Sequence, residues 1–384
     1  MPAAGGTRKH PRESRTNAPY SVRLQRFSRL IAENGLPWFL VTNPKDVAYL
    51  TGFLGGDSYL LFGPKRPTVI SDFRFQEELD SVRSLCSVVI RSGPMAKAVA
   101  EIVSDGGAQR VGVQGEHMTL GVRQGIGLQV RGVKLIESTG LVGKLRVRKD
   151  AAEIALIRRA IRLQEEALNE TLEWLDRRIG RAGKPLLERD VAAQLEFAMR
   201  VRGSSEPGFQ TIVASGTNGS LPHYRAGPAK VRKGTPVLID WGSVYRGYHG
   251  DLTRVVCWGK WPRKIAEIYA VVQDAQAAAA SQLAPGRTTR EIDTIARDAI
   301  ARAGYGDHFG HGLGHGIGLD GHEDPRLTHM AEPVVLEPGH VVTVEPGVYL
   351  PGVGGVRIED DYLITATGSE RLSTLPRDLK WATR

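Results

Sequence analysis

Only two cysteines, Cys86 and Cys257, occur in 384 residues. Two cannot make a disulfide framework, so both read as free thiols in a reducing compartment. Long apolar runs are missing too; none could span a bilayer. The first residues carry charge without an apolar stretch, so they do not read as a secretory signal. A cytoplasmic enzyme or binding protein is the expectation. No phosphate-binding glycine loop is present, because Gly106-Gly107, Gly125 and Gly127 lack a strand–loop–helix setting. Nor is charge of one sign concentrated, although the formal net charge is +9. Arg8, Lys9, Arg12 and Arg15 sit in an N-terminal tail, while Arg158, Arg159, Arg177 and Arg178 alternate with Glu165, Glu166, Glu170 and Glu173. That mixture marks a solvated helix face and argues against a nucleic-acid partner.

What remains is an ordinary globular composition, 41% hydrophobic and 24% charged, with length for two cores. Residues 1–19 read as a disordered tail. Helix and strand patterns then alternate up to about residue 140. Leu24, Phe27 and Leu30 mark a helix stopped at Gly35, and Trp38–Val41, Ser58–Phe62, Pro67–Ile70, Ser87–Ile90 and Arg110–Val113 mark strands. That alternation predicts a small α/β domain over residues 20–142.

The basic segment Gly143–Lys149 reads as a linker, and a second domain is expected over residues 143–384. Here the pattern is helix, helix, strand, strand, twice over. The first set is Ile154–Leu175, Val191–Met199, Pro236–Val244 and Tyr248–Trp258. The second is Ile265–Leu283, Thr288–Ala303, Val341–Glu345 and Val356–Thr365. The repeat predicts an internally duplicated α+β domain.

Chemistry concentrates in the two hairpins. A turn over Tyr245 and Arg246 would pair Asp240 directly with Asp251 on one buried face. A turn centred on Gly352 would likewise oppose Glu345 and Glu359. Like charges so placed are destabilising, and burial makes them costlier. A cation would remove the conflict. His315 lies in His311–Gly318, a stretch too rich in glycine for a helix. Four carboxylates and one imidazole suit manganese, cobalt or zinc. Their charge balances two divalent ions, which together can activate a bridging water. Any one of the five alone would read as a surface acid or a core histidine; the paired set does not.

At these positions the chain resembles the pita-bread metallopeptidases, and within them the Xaa-Pro aminopeptidases and prolidases. The resemblance is carried by Asp240-Trp241-Gly242 with Asp251-Leu252-Thr253-Arg254, by His311–Glu323, and by Val344-Glu345-Pro346-Gly347 with Arg357-Ile358-Glu359-Asp360. Upstream, Val41-Thr42-Asn43-Pro44, Tyr49–Phe53 and Ser71-Asp72-Phe73-Arg74 resemble a creatinase-type N-terminal domain. The resemblance implies that Asp240, Asp251, His315, Glu345 and Glu359 ligate two divalent metals, manganese first and cobalt or zinc next. It implies that Glu345 also shuttles a proton, that His223 and His322 bind substrate and steady the carbonyl, and that His311 lines the pocket. Arg357, two residues from Glu359, would brace a ligand carboxylate or touch substrate. The substrate implied is a proline-containing peptide cleaved at an Xaa-Pro bond, and the assembly a homodimer. A metal-free creatinase-like C–N hydrolase, a methionine aminopeptidase and a non-catalytic peptide-binding module are the alternatives; the complete ligand set argues against a module that has lost its chemistry. Trp241, Gly250 and Gly321 depart from the family pattern, and are expected to reshape the substrate pocket.

Overall fold

The computed structural model describes residues 18–384 apart from 131 and 182. The basic tail residues Arg8 to Arg15 lie outside the described residues. The chain divides into two compact units at Val142 and Gly143.

The first unit is built from α1 (Ala18–Glu33), β1 (Phe39–Val41), α2 (Pro44–Thr51), β2 (Tyr59–Phe62), β3 (Thr68–Ser71), β4 (Ser87–Ile90), α3 (Met95–Asp105), β5 (Arg110–Gln114), α4 (Leu120–Gln129) and β6 (Lys134–Ser138). The tail expected through residue 19 thus gives up Ala18 and Pro19 to α1. The strands form one mixed sheet in the order β4-β3-β2-β1-β5-β6. Leu40, Leu61, Ile70, Val99, Val103 and Val113 fill its core. The sequence pattern passes over α2, and the reason is physical. Every residue from Asp46 to Thr51 is buried, so the helix has no polar face to set a period. Its ends are clear, with Asn43 capping the Lys45 amide and Gly52 closing at φ 77°.

The second unit comprises α5 (Gly143–Arg146), α6 (Ala151–Asp176), α7 (Glu188–Val201), β7 (Glu206–Pro207), β8 (Ile212–Ser215), β9 (Val237–Tyr245), β10 (Tyr248–Val256), α8 (Arg263–Ala280), α9 (Thr289–Arg302), β11 (Gly314–Gly316), β12 (Glu323–Leu327), β13 (Val341–Val344), β14 (Gly347–Leu350), β15 (Gly354–Arg357), β16 (Asp360–Ile364), β17 (Ser369–Arg371) and α10 (Leu379–Ala382). The duplicated order of two helices and a hairpin is present in both halves. Asp150 and Thr288 each open a long helix with a reciprocal capping box. One sheet holds β10-β9-β7 with β8 also on β9; another runs β12-β11-β13-β16-β17. The basic segment Gly143–Lys149 lies within this unit. Arg146 and Lys149 in it are buried.

The first hairpin differs from expectation by one step of the turn. The two-residue loop is Arg246-Gly247, with φ 50° and 85°. Positive φ at both central positions is what a tight hairpin turn of this twist requires, and glycine supplies it more readily than Tyr245 would. Asp240 therefore faces Thr253, and Asp251 faces Gly242. The two carboxylates share a face as diagonal neighbours, not as a direct pair. The second hairpin keeps the expected register throughout. Val344 pairs with Asp360 and Gly347 with Arg357, so Glu345 and Glu359 occupy the gap between two ladders in line. Pro346 interrupts the ladder there, and pairing resumes beyond it.

Arg254 ties the two hairpins together from behind. Its side chain is fully buried and pairs with Asp360 at 2.6 Å. It also donates to the carbonyls of Glu359, Leu375 and Pro376. Removing one partner of a buried ion pair strands the other charge. Arg254→Met should therefore cost roughly 3–5 kcal/mol in denaturant unfolding; a loss below about 1 kcal/mol would contradict this bracing role.

Candidate metal centre

The strands deliver five side chains to one point. Asp240 comes from β9, Asp251 from β10 and His315 from β11, while Glu345 and Glu359 come from the gaps beside β13 and β16. Asp251, His315 and Glu359 each offer an atom within 4.8 Å of the others. His315 Nε2 lies 3.3 Å from Glu345 Oε1 and 3.8 Å from Asp251 Oδ2. His315 Nδ1 sits 3.0 Å from the Gly316 carbonyl oxygen. With a proton on Nδ1, Nε2 either donates to Glu345 as an imidazolium or, deprotonated, offers its lone pair to a metal ion. Gly314 and Gly316 have a local reason. A Cβ at Gly314 would overlap the Thr343 carbonyl, and one at Gly316 the Asp324 carbonyl.

Asp240 stands to the side of this cluster. Arg357 pairs with its Oδ2, while Oδ1 is buried without a hydrogen-bond partner. The rest of the Arg357 guanidinium donates to Thr253 Oγ1 at 3.1 Å and Tyr349 Oη at 2.8 Å. Arg357 is thus a brace, and Thr253 and Tyr349 are its partners. Thr253 Oγ1 also donates to Glu359 Oε2 at 2.7 Å. Sequence position could have exposed Thr253, since it lies two residues from Asp251 on the same strand face. Nothing in the spacing pointed to Tyr349 or to Asp361, whose Oδ2 accepts the Asp251 amide at 3.1 Å.

The electrostatics are lopsided. Burial, then repulsion from Asp240, Asp361 and Glu345, pushes the Asp251 carboxyl well above its ordinary range. Burial and its carboxylate neighbours do the same to Glu359. Burial raises Asp240 as well, against the pull of Arg357. Glu345 goes the other way. Burial opposes ionisation, but the His315 hydrogen bond and the charges of His315, His311 and Arg357 bring it down to about 2. A buried orphan oxygen on Asp240, crowded carboxylates and one imidazole lone pair form a donor set fit for divalent cations.

All nine residues singled out from the sequence line one cavity of about 600 Å³. His223 and His322 stand in its wall, as do Arg225 and Arg326. The His322 ring lies over His315, centroids 3.9 Å apart and tilted 32°. Burial, then the neighbouring His315, lowers His322 to about 4, so it is neutral at neutral pH. His311 is set further back, with Nε2 2.9 Å from Tyr349 Oη. Buried charge holds the histidine loop at both ends. Arg297, paired with Asp293, donates to the carbonyls of Phe309 and His311. Glu323 binds Arg146, Lys149 and the Asp320 amide.

The departures from the family pattern, Trp241, Gly250 and Gly321, do not themselves line the cavity, although each adjoins a residue that does. Trp241 points to the opposite face and donates to the Gln164 carbonyl at 3.0 Å. A Cβ at Gly250 would press on Ile161 and Gln164. Both residues answer to the packing of α6.

A duplicated helix–hairpin fold that gathers buried carboxylates and one imidazole defines a pita-bread metallohydrolase. The chain belongs to metallopeptidase family M24, matched over residues 155–366, behind a creatinase/prolidase N-terminal domain matched over residues 23–148. It is 36% identical to the uncharacterised peptidase YqhT of Bacillus subtilis, over 93% of this chain and 99% of that one. It superposes on the Xaa-Pro dipeptidase from Bacillus anthracis with a TM-score of 0.88 at 35% identity, covering 94% of this chain and 99% of that one. On the X-Pro aminopeptidase from Thermotoga maritima the TM-score is 0.83 at 33% identity, with 92% and 99% covered.

The raised carboxyls fix the sign of a pH effect in chelated protein. Burial and crowding favour the protonated forms of Asp240, Asp251 and Glu359 in the fold more than in the unfolded chain. Stability should then fall as pH rises above the ordinary carboxyl range of about 4. The melting temperature of EDTA-treated protein should drop between about pH 5 and about pH 8. Asp251→Asn should flatten that slope; an equal slope in both proteins would contradict the crowding described here.

Proposed function

We propose that this chain is a dinuclear-metal exopeptidase that hydrolyses Xaa-Pro bonds, with Xaa-Pro dipeptides as its preferred substrates. The observation that carries the metal reading is the buried Asp240, Asp251, His315 and Glu359 beside the half-buried Glu345, with one guanidinium against four carboxylates. Manganese is the first ion to try, then cobalt or zinc. When bound, such ions supply Lewis acidity toward a carbonyl and toward water. The relatives' names, one a dipeptidase and one an aminopeptidase, support the proline specificity.

The chain's own residues divide the work. Glu345, ionised, takes a proton from the attacking water and passes it to the departing prolyl nitrogen. Such a transfer is typically worth about 10²–10⁴-fold in rate. The prolyl nitrogen, which carries no hydrogen in the amide, takes that proton and leaves as a secondary amine when the C–N bond breaks. His322, neutral, donates a hydrogen bond to the carbonyl oxygen as negative charge develops there. His223, also in the cavity wall, holds the substrate. Arg357 fixes Asp240, and Thr253 fixes Glu359. Arg225 and Arg326 favour the dipeptide: two guanidinium groups in the cavity suit a free C-terminal carboxylate next to the scissile bond. A homodimer in a reducing, cytoplasmic setting completes the reading.

With manganese added, purified protein should hydrolyse Xaa-Pro dipeptides, and a chelator should stop it. Full activity in Asp251→Ala would contradict the mechanism. Xaa-Pro-Xaa tripeptides should be cleaved more slowly, and Arg326→Ala should raise KM for the dipeptide by roughly 10-fold, the worth of one charged hydrogen bond. Equal rates on both peptides, with KM unmoved in Arg326→Ala, would assign an aminopeptidase instead.

A further inference from the structure

The wall of the cavity that carries His223 has no regular structure of its own to hold it. It runs from the end of β8 at Ser215 to Gly227, through a single 3-10 turn at Gly216–Ser220. Its position is set from outside, and one buried carboxylate does so. Glu188, the first residue of α7, is fully buried. Its Oε1 accepts the Ser215 amide at 2.7 Å and Asn218 Nδ2 at 2.9 Å. Its Oε2 accepts Tyr224 Oη at 2.8 Å and the Gly227 amide at 3.1 Å. Asn218 Nδ2 lies 2.9 Å from Tyr224 Oη, which closes the network across the loop.

Two of these donors precede His223 and two follow it. All four are neutral. A buried carboxylate held by neutral donors tolerates little displacement of any of them, because each lost bond leaves charge unsolvated. The α7 N-terminus adds its dipole to the same carboxylate. On its far side the loop meets the second hairpin. Gly219 and Gly355 approach so closely that a Cβ on either would crowd the other's backbone. The loop is therefore fixed relative to β15, the strand that ends at Arg357. Tyr224, next in sequence to His223, is pushed up to about 12 by burial and by its bond to Glu188, so it stays a neutral donor.

We propose that Glu188 is the positioning residue for His223: its carboxylate, through Ser215, Asn218, Tyr224 and Gly227, sets where that imidazole stands in the cavity. The inference rests on His223 being a substrate-binding group. It also says why the residue must be a glutamate. A glutamine offers one oxygen for four donors, and its NH₂ would point at two of them.

Glu188→Gln tests this in two ways, one free of activity. Amide hydrogen exchange in residues 216–227 should speed up at least 10-fold, while exchange in α9 stays unchanged. Xaa-Pro dipeptide hydrolysis, measured as kcat/KM, should fall roughly 10- to 100-fold, as a misplacement of about 1 Å can cause. In a His223→Ala background the same substitution should cost less than about 2-fold, because the group it positions is gone. Should Glu188→Gln not fold, Asn218→Ala removes one donor and should show the same non-additivity at about 3- to 10-fold. Equal losses in both backgrounds, or unchanged exchange, would overturn the proposal. Full activity in His223→Ala would overturn it together with the substrate role of His223. Wild-type protein inactive on every Xaa-Pro peptide would overturn the proposed activity, and faster exchange would still support the anchor that Glu188 gives the loop.

Discussion

Uncompensated negative charge at the meeting of two hairpins governs this molecule. Asp240, Asp251 and Glu359 are brought together away from water with the half-buried Glu345 beside them, and Arg357 is the guanidinium among them. Removing carboxylates from solvent costs several kcal/mol each unless charge or hydrogen bonds replace the water. The fold meets part of that cost with Arg357, Thr253 and the Asp240 ion pair. The remainder shows in the upward push on Asp251 and Glu359. A donor set in that condition is poised to take up positive charge, which is what family M24 supplies as divalent metal.

The scaffold around this point follows one rule. The strands bearing Asp251 and Glu359, the histidine loop and the His223 loop are each tied down by a charged group behind them. Arg254 and Asp360 hold the strands that bear Asp251 and Glu359. Asp293 and Arg297 hold the start of the histidine loop, and Glu323 with Arg146 and Lys149 holds its end. Glu188 does the same for the His223 loop. Breaking such groups is expensive, so they give irregular backbone the rigidity that helices and strands get from ladders.

How legible was this in the sequence? The second hairpin was legible in its register, because the glycine turn centred on Gly352 fixes it, but not in the strand Gly347–Leu350 that resumes beyond Pro346. The first was legible to its face but not to its pairing. Tyr245-Arg246 and Arg246-Gly247 are both plausible turns by composition, and only the need for positive φ at two positions selects the second. The long helices showed in their apolar spacing and capping boxes. The short strands β7, β8, β11 and β12 did not, since two to five residues carry no period. Nor did the burial of Arg146 and Lys149, which depends on Glu323 being nearby in space and far away in sequence. Glu188, Tyr349 and Asp361 were invisible for that same reason: their partners are tertiary.

Metal stoichiometry with anomalous scattering tests the central claim most directly. Protein dialysed against manganese and crystallised should bind two ions per chain. Their anomalous peaks should lie among Asp240, Asp251, His315, Glu345 and Glu359. No bound ion, or peaks away from these five residues, would contradict the account.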